Sequence, residues 1–218
     1  MSLVWKMPTS NRIILTDVDG VLLEWENHFT EWMLQRCYFN DKGEKIYPYK
    51  LLPNKENTYE MAERFGLSIP EIRKEIREFN KSAWIGTQCP MPDSQTWVKL
   101  LHAEGWTFIP ITSQTSDLPA QALRKRRLAE LFGTETFRNY HILDTGADKD
   151  SALAEFHNTN LYFIEDKPKN AMAGLNFGLR PILINHTYNQ DFSHPDIPKV
   201  NNWRDIHTLL KNENIRRT

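Results

Sequence analysis

The sequence predicts an α/β fold in which helices flank a parallel sheet, with one mainly helical insertion after the first strand. Two observations predict this architecture: short apolar runs alternate with helix-like segments, and one long interval interrupts the alternation. The chain has 218 residues, of which 40% are hydrophobic and 25% charged. This length and composition suit one globular domain with a sizeable insertion, or two small domains.

Five apolar runs have the length and composition of β-strands. Each is rich in Ile, Leu, Phe or Tyr and continues without regular alternation between apolar and polar residues. Continuous runs of this kind are typical of strands that are buried on both faces of a parallel sheet. The runs cover residues 12–16, 107–111, 140–143, 161–164 and 180–184.

Helix-like segments lie between the later runs and after the last one. Pro92 and Asp93 favour a helix start, whereas Gly105, Gly133 and Gly178 follow helical patterns as stop signals. The repeated strand–helix order predicts an open sheet with right-handed crossovers. The predicted helices cover residues 93–104, 119–131, 148–156, 169–177 and 203–210.

The interval from residue 24 to residue 88 is too long for a simple crossover between two strands. It contains three helical stretches, and apolar residues recur at helical spacing in the third. We therefore predict a core domain of residues 1–23 and 89–218, with a helical cap of residues 24–88. The helical stretches cover residues 28–36, 58–65 and 70–81.

Four residues near the start of the insertion admit two interpretations. Trp25, His28, Phe29 and Trp32 could line a substrate pocket, because they closely follow the end of the first strand. Their spacing also fits an ordinary buried helix face, and we favour this second interpretation for Phe29 and Trp32.

The charge balance argues against nucleic acid and membranes as partners. The net charge is -1, from 27 basic and 28 acidic residues. The run Lys125, Arg126 and Arg127 is interpreted as a solvated helix face. No stretch approaches the about 18 apolar residues of a membrane span, and residues 1–9 lack the apolar run of a signal peptide. Because Cys37 and Cys89 make no disulfide framework, we expect a cytoplasmic protein. The sequence indicates no oligomeric state.

Two acids follow the first apolar run directly. Asp17 and Asp19 lie at its end, and Gly20 permits a sharp turn after them. In open α/β sheets, ligands bind beyond the carboxyl ends of the strands. Paired carboxylates repel one another unless a cation balances them, and Mg²⁺ binds carboxylate and phosphate oxygens. Asp-x-Asp-Gly also occurs in calcium loops and surface turns, but the apolar run before the acids argues against a surface turn.

Polar residues end two later runs as well. Thr112 and Ser113 follow the second run, where a hydroxyl can bind a phosphate oxygen or merely end a strand. Glu165 and Asp166 follow the fourth run. Because parallel strands bring their carboxyl ends to one edge of the sheet, we expect these side chains to converge on Asp17.

A lysine near this edge could neutralise the acids and a bound phosphate. Lys149 lies between the third strand and the helix after it. An ordinary surface lysine near a helix start is the alternative interpretation, and Lys125, Lys167 and Lys169 compete for the same role.

In these motifs the chain resembles the haloacid dehalogenase (HAD) superfamily of phosphohydrolases. The resemblance extends from residue 12 to about residue 184, and the insertion resembles that family's helical, C1-type cap. It implies a Rossmann-like parallel sheet core and favours Lys149 among the lysines. The ordered set is Asp17-Val18-Asp19-Gly20, Thr112-Ser113, Lys149 and Glu165-Asp166.

The resemblance implies catalytic roles. Asp17 would attack phosphorus and form an aspartyl-phosphate, and Asp19 would protonate the leaving group and then activate water. Thr112, Ser113 and Lys149 would hold the transferred phosphoryl group, with Thr112 and Lys149 also stabilising its charge in catalysis.

The resemblance also implies the ligands of Mg²⁺. These would be the carboxylates of Asp17 and Asp166 and the backbone carbonyl of Asp19. Two neighbouring positions depart from the family pattern: Glu165 replaces a frequent Gly, and Asn170 replaces a frequent acid. Asn170 could bind a water of the metal or orient Asp166, but it adds no charge.

Together these features predict a magnesium-dependent phosphatase. Its substrate would be a small soluble phosphomonoester, either a metabolite or a nucleotide, enclosed by a closing cap. A phosphomutase would use the same motifs. A non-catalytic relative that binds a partner is the third possibility, and Asp19 argues against it because a binding module needs no acid/base there.

Overall fold

A six-stranded parallel sheet forms the centre of the protein, and the computed structural model describes residues 12–55 and 58–215. Two short 3-10 helices, Ala83–Gly86 and Thr187–Asn189, accompany the strands and α-helices. In chain order the strands and α-helices are β1 (Ile13–Thr16), α1 (Trp25–Gln35), β2 (Tyr38–Phe39), β3 (Lys45–Ile46), α2 (Met61–Phe65), α3 (Ile69–Lys81), α4 (Ser94–Ala103), β4 (Thr107–Ser113), α5 (Leu118–Phe132), β5 (His141–Leu143), α6 (Asp150–Ala154), β6 (Tyr162–Glu165), α7 (Pro168–Asn176), β7 (Arg180–Ile184), β8 (Lys199–Val200) and α8 (Trp203–Ile215).

The strands are arranged in the order β5-β4-β1-β6-β7-β8. The first strand of the chain therefore lies between β4 and β6 and pairs with both in parallel. Its side chains point alternately into two hydrophobic clusters, with Ile14 packed in the cluster of Phe108 and Ile13 and Leu15 in the cluster of Phe163. The predicted α/β class with a Rossmann-like parallel sheet is confirmed, and the carboxyl ends of the three central strands lie side by side.

The predicted strands and helices are present, with ends that shift by a few residues. The last helix, α8, continues to Ile215 and so passes its predicted end at residue 210. The sequence analysis missed β8 and the antiparallel pair of β2 and β3. Each of these three strands contains two residues, which is too short for a periodic pattern to form.

The insertion has a hydrophobic cluster of its own. Phe29 and Phe79 are fully buried in it, and their rings meet edge to face at 5.5 Å. Trp32 packs against the same cluster, so the buried-face interpretation fits Phe29 and Trp32. A capping box of Ser68 and Glu71 begins α3. The division into residues 1–23 with 89–218 and residues 24–88 stays a prediction, which the separate cluster supports.

A reciprocal pair of amide side chains fastens the insertion to the sheet. Asn80, near the end of α3, donates from Nδ2 to the carbonyl of Gln114 at 2.9 Å. Gln114, which follows β4, donates from Nε2 to the carbonyl of Asn80 at 3.0 Å. Trp25 donates to Oδ1 of Asn80 at 2.9 Å. Since Asn80 and Gln114 are buried, these bonds are protected from water and hold α3 over the carboxyl end of β4.

The basic run on α5 has two environments. Lys125 and Arg126 are exposed, as the solvated-face interpretation requires. Arg127 is partly buried, and its Nε donates to the carbonyl of Gln88 at the end of the insertion, at 2.8 Å. Cys37 and Cys89 are exposed free thiols. In residues 12–55 and 58–215, no helix combines the length and apolar character needed to cross a membrane.

We expect Gly174→Ala to lower the free energy of unfolding by about 1–3 kcal/mol, because it overpacks the contact between α7 and β6. A Cβ at Gly174 would lie 2.6 Å from Cδ1 of Phe163. This cost exceeds the gain of about 0.5–1 kcal/mol that alanine brings to a helix. Urea unfolding measures it, with Gly86→Ala as the control because a Cβ there meets Leu123 at 3.5 Å. A Gly174→Ala protein as stable as the wild type would contradict this packing.

Candidate active site

Asp17 lies at the carboxyl end of β1 with its side chain turned inward. Its backbone N–H donates to the carbonyl of Ile164 at 2.9 Å, which extends the pairing of β1 with β6 by one step. The residue is 4% exposed. Oδ1 accepts a hydrogen bond from the backbone of Val18 at 2.6 Å and lies 2.9 Å from Nζ of Lys149. The predicted nucleophile is therefore buried, paired with a lysine and fixed in orientation.

Lys149 joins two carboxylates from the segment that precedes α6. Its Nζ lies 2.9 Å from Asp17 and 2.6 Å from Oε1 of Glu165, and the lysine is 3% exposed. Burial alone would lower its pKa, but the two carboxylates outweigh burial and hold the pKa of Lys149 above its usual value. The ammonium group is thus charged. Lys125, a competing lysine in the sequence analysis, lies instead over the ring of Tyr140.

Glu165 holds several neighbouring groups in place, because both of its carboxylate oxygens accept hydrogen bonds. Oε1 accepts from Lys149 and from Nδ2 of Asn170 at 2.8 Å. Oε2 accepts from the backbone N–H groups of Asp166 and Lys167, both at 2.9 Å. Burial raises the pKa of Glu165, but Lys149 and the hydrogen bonds more than offset it, so the pKa is lowered. The two departures from the family pattern, Glu165 and Asn170, thus bind each other.

Asp166 presents a free oxygen to the site. Oδ2 accepts a hydrogen bond from the hydroxyl of Tyr188, while Oδ1 is buried and has no hydrogen-bond partner among the described residues. Burial, followed by the charges of Glu165 and Asp17, raises the pKa of Asp166 well above its usual value. Gly20 makes this approach possible: its φ is +78°, and a Cβ there would lie 2.5 Å from Oδ2.

The donors fit a magnesium ion. Asp17, Glu165 and Asp166 each offer one carboxylate oxygen, and these oxygens lie within 4.8 Å of one another. Since the oxygens of Glu165 are already occupied, Asp17 and Asp166 are the groups available as ligands. An unpartnered buried oxygen and a raised pKa are the expected marks of carboxylates that lack a cation. Oxygen ligands of this kind suit Mg²⁺.

Thr112 and Ser113, at the end of β4, have different surroundings. Thr112 is 1% exposed, and its Oγ1 has no hydrogen-bond partner among the described residues. It lines the same cavity as Asp17, so this hydroxyl is free for a ligand. Ser113 also borders the cavity, but its hydroxyl donates to the carbonyl of Ala147 at 2.8 Å. The geometry thus favours Thr112 over Ser113 as the predicted phosphate donor.

Asp19 is held by an arginine that the sequence analysis missed. Its carboxylate lies 2.5 Å from Nη1 and 3.4 Å from Nη2 of Arg124, a fully buried residue of α5. A signal for it was present, because Ala120, Arg124 and Leu128 lie on one buried stripe at helical spacing. A cation on an apolar stripe indicates a buried partner.

A second group that the sequence analysis missed surrounds Asp166. Tyr188, in the 3-10 helix after β7, donates to Asp166 and stacks on His186 at 5.0 Å. His186 contacts the carbonyl of Gly20 through Nε2 at 2.8 Å. Tyr59 of the insertion packs against Tyr188 with ring centroids 3.9 Å apart. Tyrosine is not a usual ligand of Mg²⁺, so no sequence motif pointed to Tyr59 or Tyr188.

The cavity between the sheet edge and the insertion has a volume of about 1280 Å³. Asp17, Asp19 and Thr112 lie on its sheet side, together with the other predicted site residues. Of the four residues considered as pocket lining, Trp25 borders the cavity, and His28 accepts a hydrogen bond from the backbone of Cys89 at 2.8 Å. Bordering residues of the insertion include Tyr59, Met61, Ile72, Arg73, Ile76, Arg77 and Asn80.

Comparison with known proteins identifies the fold. No protein-family model and no curated protein matches the chain. Among solved structures, a haloacid dehalogenase-like hydrolase from Streptococcus pneumoniae is 14% identical, with a TM-score of 0.57 over 91% of this chain and 98% of that one. The chain has the haloacid dehalogenase-like fold. The resemblance drawn from the sequence is confirmed at this level, and the C1 type of the cap stays a prediction.

Two further structures show the same likeness. D,D-heptose 1,7-bisphosphate phosphatase from B. bronchiseptica, complexed with magnesium and phosphate, is 13% identical with a TM-score of 0.56, covering 93% of this chain and 99% of that one. A protein from Clostridium acetobutylicum, described as a predicted phosphatase, is 14% identical with a TM-score of 0.64, covering 92% and 98%. At such identities the likeness establishes the fold, and function has to be argued from the site.

We expect Tyr188→Phe to weaken Mg²⁺ binding by about 10–100-fold, the usual effect of removing a group that orients a metal ligand. The change deletes the hydroxyl that binds Oδ2 of Asp166 and leaves the ring stack intact. Isothermal titration with Mg²⁺ measures the affinity. Tyr140→Phe is the matched control, because Tyr140 packs on Phe137 away from the residues that line the cavity. Equal affinities in both variants and the wild type would show that Tyr188 does not orient the ligand.

Mg²⁺ binding should release protons at mildly acidic pH. Burial raises the pKa of Asp17 to about 6, against the opposing charge of Lys149. Below that pH the metal-free protein keeps a proton on Asp17, which the cation must displace, so affinity should fall as the pH drops from 6 to 5. Titrations in buffers of different ionisation enthalpy count the protons, and Asp17→Asn should release fewer. An affinity that is constant over this range would refute the linkage.

Proposed function

We propose that the protein hydrolyses a small soluble phosphomonoester in a magnesium-dependent reaction, through an aspartyl-phosphate on Asp17. One observation carries the proposal: the buried carboxylate of Asp17 is paired with Lys149 and shares its cavity with two groups that have no hydrogen-bond partner among the described residues. These are the hydroxyl of Thr112 and Oδ1 of Asp166, which match a phosphate oxygen and a cation. The magnesium and phosphate bound by the heptose bisphosphatase of the same fold support this assignment.

In the first step, an oxygen of Asp17 attacks phosphorus as the bond to the leaving oxygen breaks. Asp19 supplies the proton that the leaving alkoxide takes up. The ammonium of Lys149 and the hydroxyl of Thr112 stabilise the phosphoryl oxygens as charge develops on them. When bound by Asp17 and Asp166, Mg²⁺ would supply further positive charge at the same place.

In the second step, water attacks the phosphorus of the aspartyl-phosphate. Asp19, now ionised, accepts the proton of that water, and the bond between Asp17 and phosphorus breaks to release inorganic phosphate. Lys149 is needed again, because the carboxylate of Asp17 regains its negative charge beside Glu165. Both steps therefore depend on the side chains of Asp17, Asp19 and Lys149.

The insertion restricts the substrate to small molecules. It covers the sheet edge, and its residues Trp25, Tyr59 and Ile72 border the cavity. A phosphate on a small metabolite or nucleotide can enter, whereas a phosphate on a nucleic acid duplex or a folded protein meets the insertion first. The exposed free thiols Cys37 and Cys89 suit the cytoplasmic location expected from the sequence.

Phosphate release from a panel of phosphorylated metabolites in the presence of Mg²⁺ tests the proposal. We expect Asp17→Asn to lower the rate by at least about 1000-fold, because it removes the nucleophile. Asp144→Asn is the control: Asp144 lies at the same edge of the sheet, after β5, and its Oδ1 accepts from the backbone of Thr145 at 2.8 Å. Asparagine can make that bond too, so this variant should keep its activity.

Three results would count against the proposal. Hydrolysis at the wild-type rate by the Asp17→Asn protein would exclude the aspartyl-phosphate. Isomerised product without inorganic phosphate would instead favour a phosphomutase, which transfers the phosphoryl group to a second hydroxyl. No turnover of any substrate by the wild type, together with tight binding of a phosphate ester, would favour the non-catalytic alternative.

A further inference from the structure

Arg124 is a buried cation with one partner. Its side chain is fully buried in α5, and Asp19 is its only hydrogen-bond partner among the described residues. Nε has no partner at all in that part of the chain. Asp19 lies on the cavity wall with 21% of its side chain exposed. The ion pair therefore links the buried face of α5 to the site.

Stability does not account for an arginine at this position. The adjacent residues of the stripe, Ala120 and Leu128, are apolar and buried, and a side chain such as methionine would continue the stripe. Removing a guanidinium group from water is costly, and replacing a buried ion pair with apolar groups is often neutral or stabilising. The unpartnered Nε of Arg124 adds to this cost. A group that is costly to bury and points at Asp19 indicates a role in what Asp19 does.

The two contacts are unequal, and the difference matters for proton transfer. Oδ1 of Asp19 lies 2.5 Å from Nη1, whereas Oδ2 lies 3.4 Å from Nη2. The short contact fixes the orientation of the carboxylate through Oδ1. Oδ2 has the longer contact with Arg124 and is therefore the oxygen better able to carry a proton, in a residue that borders the cavity. Without the arginine, the carboxylate of Asp19 could rotate about its side-chain bonds and leave the reacting oxygen.

We propose that Arg124 is a positioning residue, which holds Oδ2 of Asp19 against the reacting oxygens in both steps of phosphoryl transfer. The inference rests on the proposed function. In the first step Asp19 gives a proton to the leaving oxygen as that oxygen separates from phosphorus. In the second, Asp19 takes a proton from the water that attacks the aspartyl-phosphate of Asp17, so the acid returns to its starting form.

The two steps respond differently to the leaving group. An alkyl phosphate needs the proton of Asp19 to form the aspartyl-phosphate, because an alkoxide is a poor leaving group. p-Nitrophenyl phosphate forms the same intermediate without a proton, because its phenolate is stable. Hydrolysis of the intermediate needs Asp19 with either substrate. Loss of the positioning residue should therefore affect substrates unequally, whereas a general loss of structure affects them equally.

The test compares Arg124→Met with Arg127→Met on these two substrates. Arg127 lies on the same helix and binds the carbonyl of Gln88 instead of Asp19, so it is a matched control. For Arg124→Met, kcat/KM on the alkyl phosphate should fall by about 100-fold, the lower end of what acid/base catalysis contributes. With p-nitrophenyl phosphate, kcat and KM should fall together and leave kcat/KM nearly unchanged. Acid quench with labelled substrate should show more phosphoenzyme than in the wild type.

The ratio of kcat/KM for the two substrates does not depend on how much of the protein is folded. Arg124→Lys, which keeps a cation but offers no fork of donors, should restore part of the ratio. Arg124→Gln gives the same readout should Arg124→Met prove insoluble. Equal losses on both substrates, or an undiminished rate on the alkyl phosphate, would overturn the proposal. Failure of the proposed function is recognised separately, since the wild type would then form no phosphoenzyme and Asp17→Asn would change nothing.

Discussion

The site depends on one buried ammonium group. Nζ of Lys149 lies within 2.9 Å of Asp17 and 2.6 Å of Glu165, which belong to the adjacent strands β1 and β6 or follow them directly. Without this cation, two buried carboxylates would stand side by side with no cation in direct contact with them among the described residues, an arrangement that costs several kcal/mol. The same contact attaches the segment before α6 to the centre of the sheet. Lys149 therefore stabilises the fold at this point and also brings a positive charge into direct contact with the site.

The acids of the site differ in their sets of partners, although Asp17 and Glu165 share Lys149. Asp17 has Lys149, Glu165 has four donors, and Asp19 has Arg124. Asp166 alone of this group receives a neutral hydroxyl on one oxygen and, among the described residues, no hydrogen bond on the other. This free oxygen marks the end of the site where a cation fits the donors. In the proposed reaction, the nucleophile, the proton carrier and the metal ligand thus differ in their partners although all are carboxylates.

Much of this site was visible in the sequence, because strand ends are local features. Asp17, Thr112 and Asp166 each follow an apolar run directly, and parallel pairing brings such ends together. The choice of Lys149 rested partly on the family resemblance, since Lys125, Lys167 and Lys169 competed for the same role. Arg124 and Tyr188 were missed because their importance comes from partners 105 and 22 residues away. The two-residue strands β2, β3 and β8 were missed because a pattern of two residues has no period.

The amide pair of Asn80 and Gln114 attaches one side of the insertion to the sheet more firmly than the other side. It lies beside β4, on one side of β1, whereas the contact of Tyr59 with Tyr188 lies beyond β6, on the other. Buried, reciprocal hydrogen bonds are costly to break, whereas the tilted ring contact at the edge of the cavity is weaker. This difference predicts that any opening of the cleft begins at Tyr59 and turns about Asn80. Substrate would enter from the side of β7 and meet Asp166 before it meets Lys149.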